Sequence, residues 1–174
     1  MTERSGDKMA ELSLIRKEIL SVIEKNSRID LKELAVLTGS DEITVANEMA
    51  DMEKEHINCG YHTMINWENT TDEKVTAMIE VTVTPQRGVG FDRIADRIKN
   101  FEEVEAVYLI SGGFDFMVLV EEKSMRAVSQ FVSEKLSPIE EVRGTATHFV
   151  LKRYKIHGTV LAEEKTDERM LVTP

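Results

Sequence analysis

Apolar positions recur at helical spacing in three separate stretches of the N-terminal third of the chain. The first stretch predicts a helix over residues 9–25, and its apolar side is formed by Leu12, Ile15, Ile19, Val22 and Ile23. The second stretch begins after Asp30, an N-cap residue with Glu33 three positions later, and ends at Thr38-Gly39. These limits predict a second, short helix.

The third stretch begins near Asp41 and predicts a helix whose buried side carries Val45, Met49 and Met52. Together with the preceding short helix, it predicts a helix-turn-helix over residues 27–57. In this motif the second helix enters the major groove of DNA. The side opposite the apolar one is expected to face DNA and carries Thr44, Asn47, Glu48 and Asp51. Arg28 and Lys32 are expected to contact phosphates from the flank.

The helix predicted to face DNA is acidic where basic side chains are expected. From Asp41 to Glu55 its only basic residue is Lys54. Phosphates repel carboxylates such as those of Glu48 and Asp51, and neither carboxylate can pair with guanine as Arg does. Asn can still pair with adenine, and a carboxylate can accept from cytosine. Base recognition and a merely solvated helix face therefore both stay open.

The second half of the chain alternates between the periodicity of strands and that of helices. Val75 to Val83 alternate as a half-buried strand, and an amphipathic helix follows from Phe91 to Phe101. Strands over 104–110 and 114–120 are joined at Ser111-Gly112-Gly113, which is typical of a tight hairpin. A second helix ends before Pro138, and a last strand runs from Val142 to Lys155. The order β-α-β-β-α-β predicts a ferredoxin-like domain.

The predicted sheet needs cover on both faces. The strand over 114–120 has Phe116 and Val118 on one side and Met117 and Leu119 on the other. The two helices of a ferredoxin-like domain cover one face only. We expect a second copy of the chain on the other face, and hence a homo-oligomer.

These patterns predict an α+β protein with two domains. Residues 1–58 form the helix-turn-helix domain, residues 59–73 a hinge strand and linker, and residues 74–174 the ferredoxin-like domain, which forms the oligomer. The boundary is placed where the extended segment over 57–67 gives way to a polar stretch.

Composition and charge exclude several classes of protein. The net charge is −10, and residues 1–58 hold 8 Lys/Arg against 13 Asp/Glu, a charge of −5, so no basic domain is hidden in the chain. No apolar run is long enough to span a membrane, and the N-terminus lacks the apolar core of a signal peptide. The single cysteine, Cys59, fits a reducing cytoplasm.

Several short motifs together resemble one known family, the leucine-responsive/AsnC (feast–famine) transcription regulators of prokaryotes. The resemblance covers residues 12–155. In the first half the chain matches at Ile29-Asp-Leu-Lys-Glu-Leu-Ala35, Gly39, Thr44-Val45, Met52-Glu53 and Gly60-Tyr61. In the second half it matches at Ser111-Gly112-Gly113-Phe114-Asp115-Phe116 and at Val142-Arg143-Gly144-Thr145-Ala146-Thr147. Each motif is weak alone, and their order and spacing carry the resemblance.

The resemblance implies a winged-helix-like N-terminal domain, a hinge strand and a ferredoxin-like domain whose sheets pack face to face in dimers. It also implies assembly of dimers into octamers, so the expected state is a homodimer or an octamer. Family members bind amino acids at contacts between dimers. Carried onto this sequence, the residues that hold the effector are Gly112, Gly113, Asp115, Thr145 and Thr147.

The chain also departs from the family pattern. Glu48 stands where relatives usually have Arg, and His56 stands where they usually have Gly. The first departure predicts weakened binding to double-stranded DNA and leaves the expected fold unchanged.

Each effector residue has a simpler structural interpretation. Asp115 can take an effector's ammonium group, or it can satisfy backbone groups of its own turn. Gly112 and Gly113 are first of all turn residues. Thr145 and Thr147 lie on one side of their strand and suit a half-exposed β face as well as a ligand.

Enzyme chemistry and metal binding have little support in the sequence. His56, Cys59 and His62 fit no standard zinc spacing, and a Ser/His/Asp set, a Cys/His set and a carboxylate pair are not evident. We therefore expect no cofactor, no metal and no catalytic residues.

Two functions from different classes agree with the sequence. The first is a transcription regulator that binds DNA through its helix-turn-helix and responds to an amino acid or related small metabolite. The alternative is an amino-acid-sensing oligomer whose acidic helix-turn-helix does not bind DNA and acts through protein contacts.

Overall fold

A computed structural model describes residues 14–72, 74–84 and 90–161. The chain forms two compact units, Met1–Ile65 and Asn66–Pro174. Their division falls inside the segment predicted as hinge and linker. The first five residues of the helix predicted over 9–25, and residues 162–174 of the tail, lie outside the described residues.

From residue 14 onward, the N-terminal unit contains three helices: α1 over 14–23, α2 over Leu31–Leu37 and α3 over Glu42–Lys54. The predicted N-caps are formed, because a carboxylate oxygen of Asp30 accepts from the Glu33 N–H at 2.7 Å and one of Asp41 accepts from the Thr44 N–H at 2.9 Å. The apolar sides of the helices meet in one core, whose buried members are Ile19, Ile23, Leu34, Ala35, Val45 and Met52.

Both helices of the motif end in the same hydrogen-bonded turn. After α2, Gly39 has a φ of 62° and donates to the Val36 carbonyl, while Ser40 donates to Ala35. After α3, the corresponding left-handed position is taken by His56, with a φ of 56°. The turn is closed all the same, because the Ile57 N–H donates to the Met52 carbonyl at 2.9 Å.

In its described residues, the C-terminal unit begins with a 3-10 turn at Trp67–Asn69 and continues as a sheet with two helices. Its elements are β1 (Val75–Val83), α4 (Gly90–Ile98), β2 (Val104–Leu109), β3 (Phe116–Glu122), α5 (Met125–Phe131, extended by a π turn over Val132–Leu136), β4 (Val142–Phe149), β5 (Lys155–Ile156) and β6 (Thr159–Val160). The order in the main sheet is β2-β3-β1-β4, with antiparallel neighbours. This order confirms the ferredoxin-like fold.

The sheet register separates a buried face from an open one. Ile79 in β1 pairs with Val118 in β3, and both are buried under the helices. Met78 and Leu119, one position along, pair on the opposite face, where Met78 is 40% exposed. Tyr108 of β2 pairs with Met117 on the same face and is 56% exposed. In the single chain this face therefore presents apolar side chains to solvent, as the alternation predicts.

Three details differ from the predictions. The tight hairpin is instead a six-residue connection over 110–115, closed by the Ile110 N–H and the Asp115 carbonyl at 2.8 Å. β4 ends at Phe149 instead of continuing to Lys155, because the chain turns into the β5–β6 hairpin. The hinge strand is not formed in the single described chain, which has the 3-10 turn near that position.

The helices of the described ranges are too short or too polar to cross a membrane.

Candidate nucleic-acid interface and effector site

The solvent-facing side of α3 differs from the predicted one. Ile43 is 75% exposed, and Asn47, Ala50 and Lys54 are exposed with it. These residues recur at i, i+4, i+7 and i+11, so they form one stripe along the helix. We call this set, Ile43, Asn47, Ala50 and Lys54, the α3 stripe. It lies about a quarter of a turn away from the predicted side, at 3.6 residues per turn.

The prediction that Glu48 lies on the exposed side is wrong. Glu48 is only 8% exposed, and its Oε2 lies 2.5 Å from the Nε of Arg16 in α1. The physical reason is the position of the buried stripe. Val45 and Met52 are fully buried, and Glu48 stands three residues after the first and four before the second. Because Val45 and Met52 pack in the helix core, Glu48 also points inward, where it forms an ion pair with Arg16.

Arg16 joins two carboxylates of α3. Besides Glu48, its Nη1 lies 2.7 Å from a carboxylate oxygen of Glu55. Hydrogen bonds to Glu55 and Glu48 raise the pKa of the Arg16 guanidinium above its ordinary value, so the group stays charged. We call these three residues the Arg16 clamp. It neutralises part of the acidic charge of α3 and holds Glu48 away from the α3 stripe.

Arg16 was not among the predicted site residues. It lies 32 positions before Glu48, in another helix, so no local motif connects the two. The available signal was its place on α1, directly after Ile15 and three residues before Ile19 of the apolar side. A cation at the border of a buried face requires a partner when it packs against a neighbouring helix.

The other predicted DNA residues lie on the surface or at its border. Thr44 is half-buried, and its hydroxyl donates to Asp41 at 2.7 Å; this hydrogen bond is the main cause that lowers the pKa of the Asp41 carboxyl. Asp51 is half-buried and pairs with Lys54 at 3.1 Å. Arg28 and Lys32 are exposed, at the start of the motif. Their roles in DNA binding stay predictions.

In the C-terminal unit, Asp115 is fixed by β1. Its backbone N–H donates to the Val81 carbonyl at 3.1 Å, and its Oδ2 accepts from the Val83 N–H at 2.8 Å. One carboxylate oxygen of Asp115 therefore satisfies the backbone N–H of Val83, the last residue of β1. Gly112 and Gly113 are exposed in the connection before it, and their φ values are not in the left-handed region. The half-buried carboxylate thus has one oxygen in a structural bond, and its role toward an effector stays a prediction.

Thr145 and Thr147 lie in β4, which pairs with the edge of β1 opposite to β3. They pair with Val81 and Ile79, which are buried, so both threonines belong to the helix-covered face of the sheet, as their shared side predicts. Because β1 separates β4 from β3, Asp115 and Thr145 are two strand spacings apart, about 9.5 Å. The five predicted effector residues thus form two groups within one chain.

An open groove of about 380 Å³ lies between α4 and β2. Its walls are mostly apolar, and Leu109 and Phe116, which flank the 110–115 connection, are among its lining residues. Phe91 contacts Phe116 edge to face, with ring centroids 5.9 Å apart. The sequence patterns did not single out this groove, since its residues are ordinary core positions of a helix and a strand. Its volume suits a small ligand.

Among the residues in the described ranges, His, Cys, Asp and Glu side chains do not gather in a group of three or more that could hold a metal ion. His56 and His62 accordingly take part in no such group there.

Comparison with known proteins decides the family. Residues 76–160 match the family model described as the Lrp/AsnC ligand binding domain. The chain is 46% identical over 158 residues to the HTH-type transcriptional regulator YugG of Bacillus subtilis, covering 90% of this chain and 95% of that protein. The chain belongs to the Lrp/AsnC family of transcription regulators. This Lrp/AsnC protein therefore combines a helix-turn-helix with a ligand-binding domain, and its family and relatives are regulators rather than enzymes.

Solved structures of the family share its fold. The leucine response regulatory protein LrpA of Mycobacterium tuberculosis aligns with a TM-score of 0.70 at 23% identity, covering 85% of this chain and 98% of that one. A transcriptional regulator of Neisseria meningitidis, solved as an L-Met complex, aligns with a TM-score of 0.65 at 22% identity over 82% of this chain and 91% of that one. At these identities the likeness concerns the fold alone.

Proposed function

We propose that this Lrp/AsnC protein binds double-stranded DNA through α3 and changes its binding when an amino acid occupies the C-terminal domain. The observation that carries the proposal is the Arg16 clamp. It holds Glu48, the carboxylate expected to weaken DNA binding most, in a partly buried ion pair 2.5 Å from Arg16. The α3 stripe contains one cation, Lys54, and no carboxylate, and the exposed carboxylates of α3, Glu42 and Glu53, lie beside the stripe.

Electrostatic attraction in this protein has to come from a few exposed cations. Lys54 lies on the α3 stripe, and Arg28 and Lys32 are exposed at the start of the motif. Three such cations per head give weak binding in a chain of charge −10. A homodimer or octamer compensates for this, because several heads bind one DNA molecule together.

The effector that we propose is an amino acid with an apolar side chain. The carboxylate of Asp115 is suited to an ammonium group, and Phe116, the next residue in the chain, lines the mostly apolar groove between α4 and β2. The Neisseria meningitidis relative, solved with L-Met, binds a ligand of this class. Because β1 separates Asp115 from Thr145 and Thr147, we propose that one effector contacts the two groups from different copies, at a contact within the oligomer.

A pair of matched lysines tests DNA binding. Lys54 and Lys99 each pair with an aspartate three residues earlier, Asp51 and Asp96, so replacing either with Gln removes the same charge and the same local pair. Only Lys54 lies on the α3 stripe. In an anisotropy titration without amino acids, we expect Lys54→Gln to weaken binding and to reduce the salt slope by about 0.9 for each phosphate that the lysine neutralises. Lys99 lines the groove between α4 and β2, far from α3 in the sequence, and without an effector Lys99→Gln should do neither. Equal affinities for the two variants would contradict the role of α3.

One observation favours the alternative function, a sensing oligomer that acts through protein contacts. Val36 and Leu37 of α2 are 76% and 59% exposed, close in sequence to the turn that leads to Ile43. An apolar surface of this kind suits a protein partner. If the parent protein is folded and oligomeric but forms no DNA complex at low salt, this alternative replaces the first proposal.

A further inference from the structure

The α3 stripe has an unusual composition for a surface that faces DNA. Its members Ile43, Asn47 and Ala50 offer an aliphatic side chain, one amide and one methyl group. Its single cation, Lys54, is the last residue of α3 and pairs with Asp51 at 3.1 Å. In helix-turn-helix proteins the N-terminal residues of the second helix contact base edges. Ile43 and Asn47 are therefore nearest to the bases.

These groups match one type of base pair. Guanine presents two acceptors in the major groove, which Arg or Lys satisfies, whereas adenine presents a donor and an acceptor that the Asn amide complements. The methyl group of thymine is contacted by apolar side chains. The stripe thus holds partners for adenine and thymine at its N-terminal end and none for guanine there.

The neighbours of the stripe do not supply the missing guanine contact. The hydroxyl of Thr44 donates to Asp41 at 2.7 Å, and the guanidinium of Arg16 is bound by Glu48 and Glu55. Glu53, which is exposed beside the stripe, accepts a hydrogen bond from the Tyr61 hydroxyl at 2.8 Å. The donors of Thr44, Arg16 and Tyr61 near α3 are thus engaged inside the protein.

We infer that α3 selects A·T base pairs, with Asn47 contacting adenine and with Ile43 and Ala50 contacting thymine methyl groups. The inference rests on the proposed DNA binding and adds to it the residues that set sequence preference.

The test uses the full-length protein and a duplex from its own upstream DNA, shortened to the footprint. A second duplex has deoxyuridine in place of thymidine, which removes the methyl groups and keeps base pairing. We expect the parent to bind the second duplex more weakly by about four-fold for each methyl group contacted. Asn47→Ala should lose about 5- to 150-fold on the thymidine duplex.

Two exposed aliphatic residues provide a matched control. Ile43 is 75% exposed on the stripe, and Val36 is 76% exposed on α2. Both can be changed to Ala without opening the core. Ile43→Ala should bind the two duplexes with a smaller difference than the parent does, whereas Val36→Ala should retain the full difference.

Different outcomes distinguish the A·T selection from the proposed DNA binding. A parent that binds both duplexes equally, with Asn47→Ala binding as the parent does, would overturn the A·T selection and leave DNA binding in place. A folded parent that forms no complex with either duplex would overturn the proposed function and the inference together. Circular dichroism of each variant establishes that a loss of binding is not a loss of fold.

Discussion

His56 occupies a backbone conformation that suits glycine. Its φ of 56° follows the last turn of α3, at the position that Gly39 takes after α2. A left-handed conformation costs a residue with a Cβ about 1–2 kcal/mol. Glycine avoids this cost, but part of the gain in stability is lost because glycine gives the unfolded chain more conformational freedom. The family resemblance also indicated that relatives usually have Gly there.

We expect His56→Gly to raise the free energy of unfolding by about 0.5–1 kcal/mol in urea titrations. His56→Ala is the control, since alanine removes the imidazole and retains the Cβ. If the alanine variant gains as much stability as the glycine variant, the gain comes from the imidazole and not from the backbone.

Asp115 has two tasks that a single substitution can separate. Its Oδ2 accepts from the Val83 N–H at 2.8 Å, and its charge is proposed to bind the effector. Asp115→Asn retains an acceptor for Val83 and loses the charge, so we expect normal stability and no effector response by calorimetry. Asp115→Ala also leaves the Val83 N–H without this acceptor, and we expect it to cost about 1 kcal/mol. An Asn variant that still binds the effector as the parent does would refute the role of the carboxylate.

At the scale of elements, α1 and α3 are joined by the Arg16 clamp as well as by the apolar core. Glu48→Gln retains a hydrogen-bond acceptor for Arg16, so we expect a small fall in the urea midpoint. Glu48→Arg brings the residue that the family resemblance implies for this position, yet it places a second guanidinium beside Arg16 at a position only 8% exposed. We therefore expect Glu48→Arg to destabilise the domain far more than Glu48→Gln. Restoration of stability in Glu48→Arg by Arg16→Glu would support the clamp, and equal stability of both Glu48 variants would refute it.

The sequence predicts elements well where periodicity is strong and fails where the interacting residues are far apart in the chain. Alternation from Val75 to Val83 predicts β1, and the capping carboxylates of Asp30 and Asp41 predict the starts of two helices. The predicted orientation of α3 is wrong, because the polarity of Glu48 suggests an exposed position while its partner Arg16 lies in another helix.

The effector site shows the same limit. Its residues are predicted from a family motif, and the motif does not reveal that β1 separates Asp115 from Thr145. The groove between α4 and β2 depends on how far a helix stands from an edge strand, which no local pattern encodes.

At the scale of the whole molecule, the open face of the sheet is the surface on which assembly depends. Met78 lies on it and is 40% exposed, in the central strand β1. A charge there is costly to bury against a second sheet. We expect Met78→Glu to shift sedimentation toward the monomer. Met125→Glu is the matched control, because Met125 is 54% exposed on α5. If both variants sediment as the parent does, the sheet face is not the interface.

A gel-shift titration of the full-length protein against its own upstream DNA tests whether α3 binds DNA and whether an amino acid changes that binding. It is made at low salt, where a few phosphate contacts per head suffice, with and without pooled amino acids. We expect a discrete complex whose affinity changes with one pool containing apolar amino acids. A folded and oligomeric protein that forms no complex with any pool would contradict DNA binding through α3.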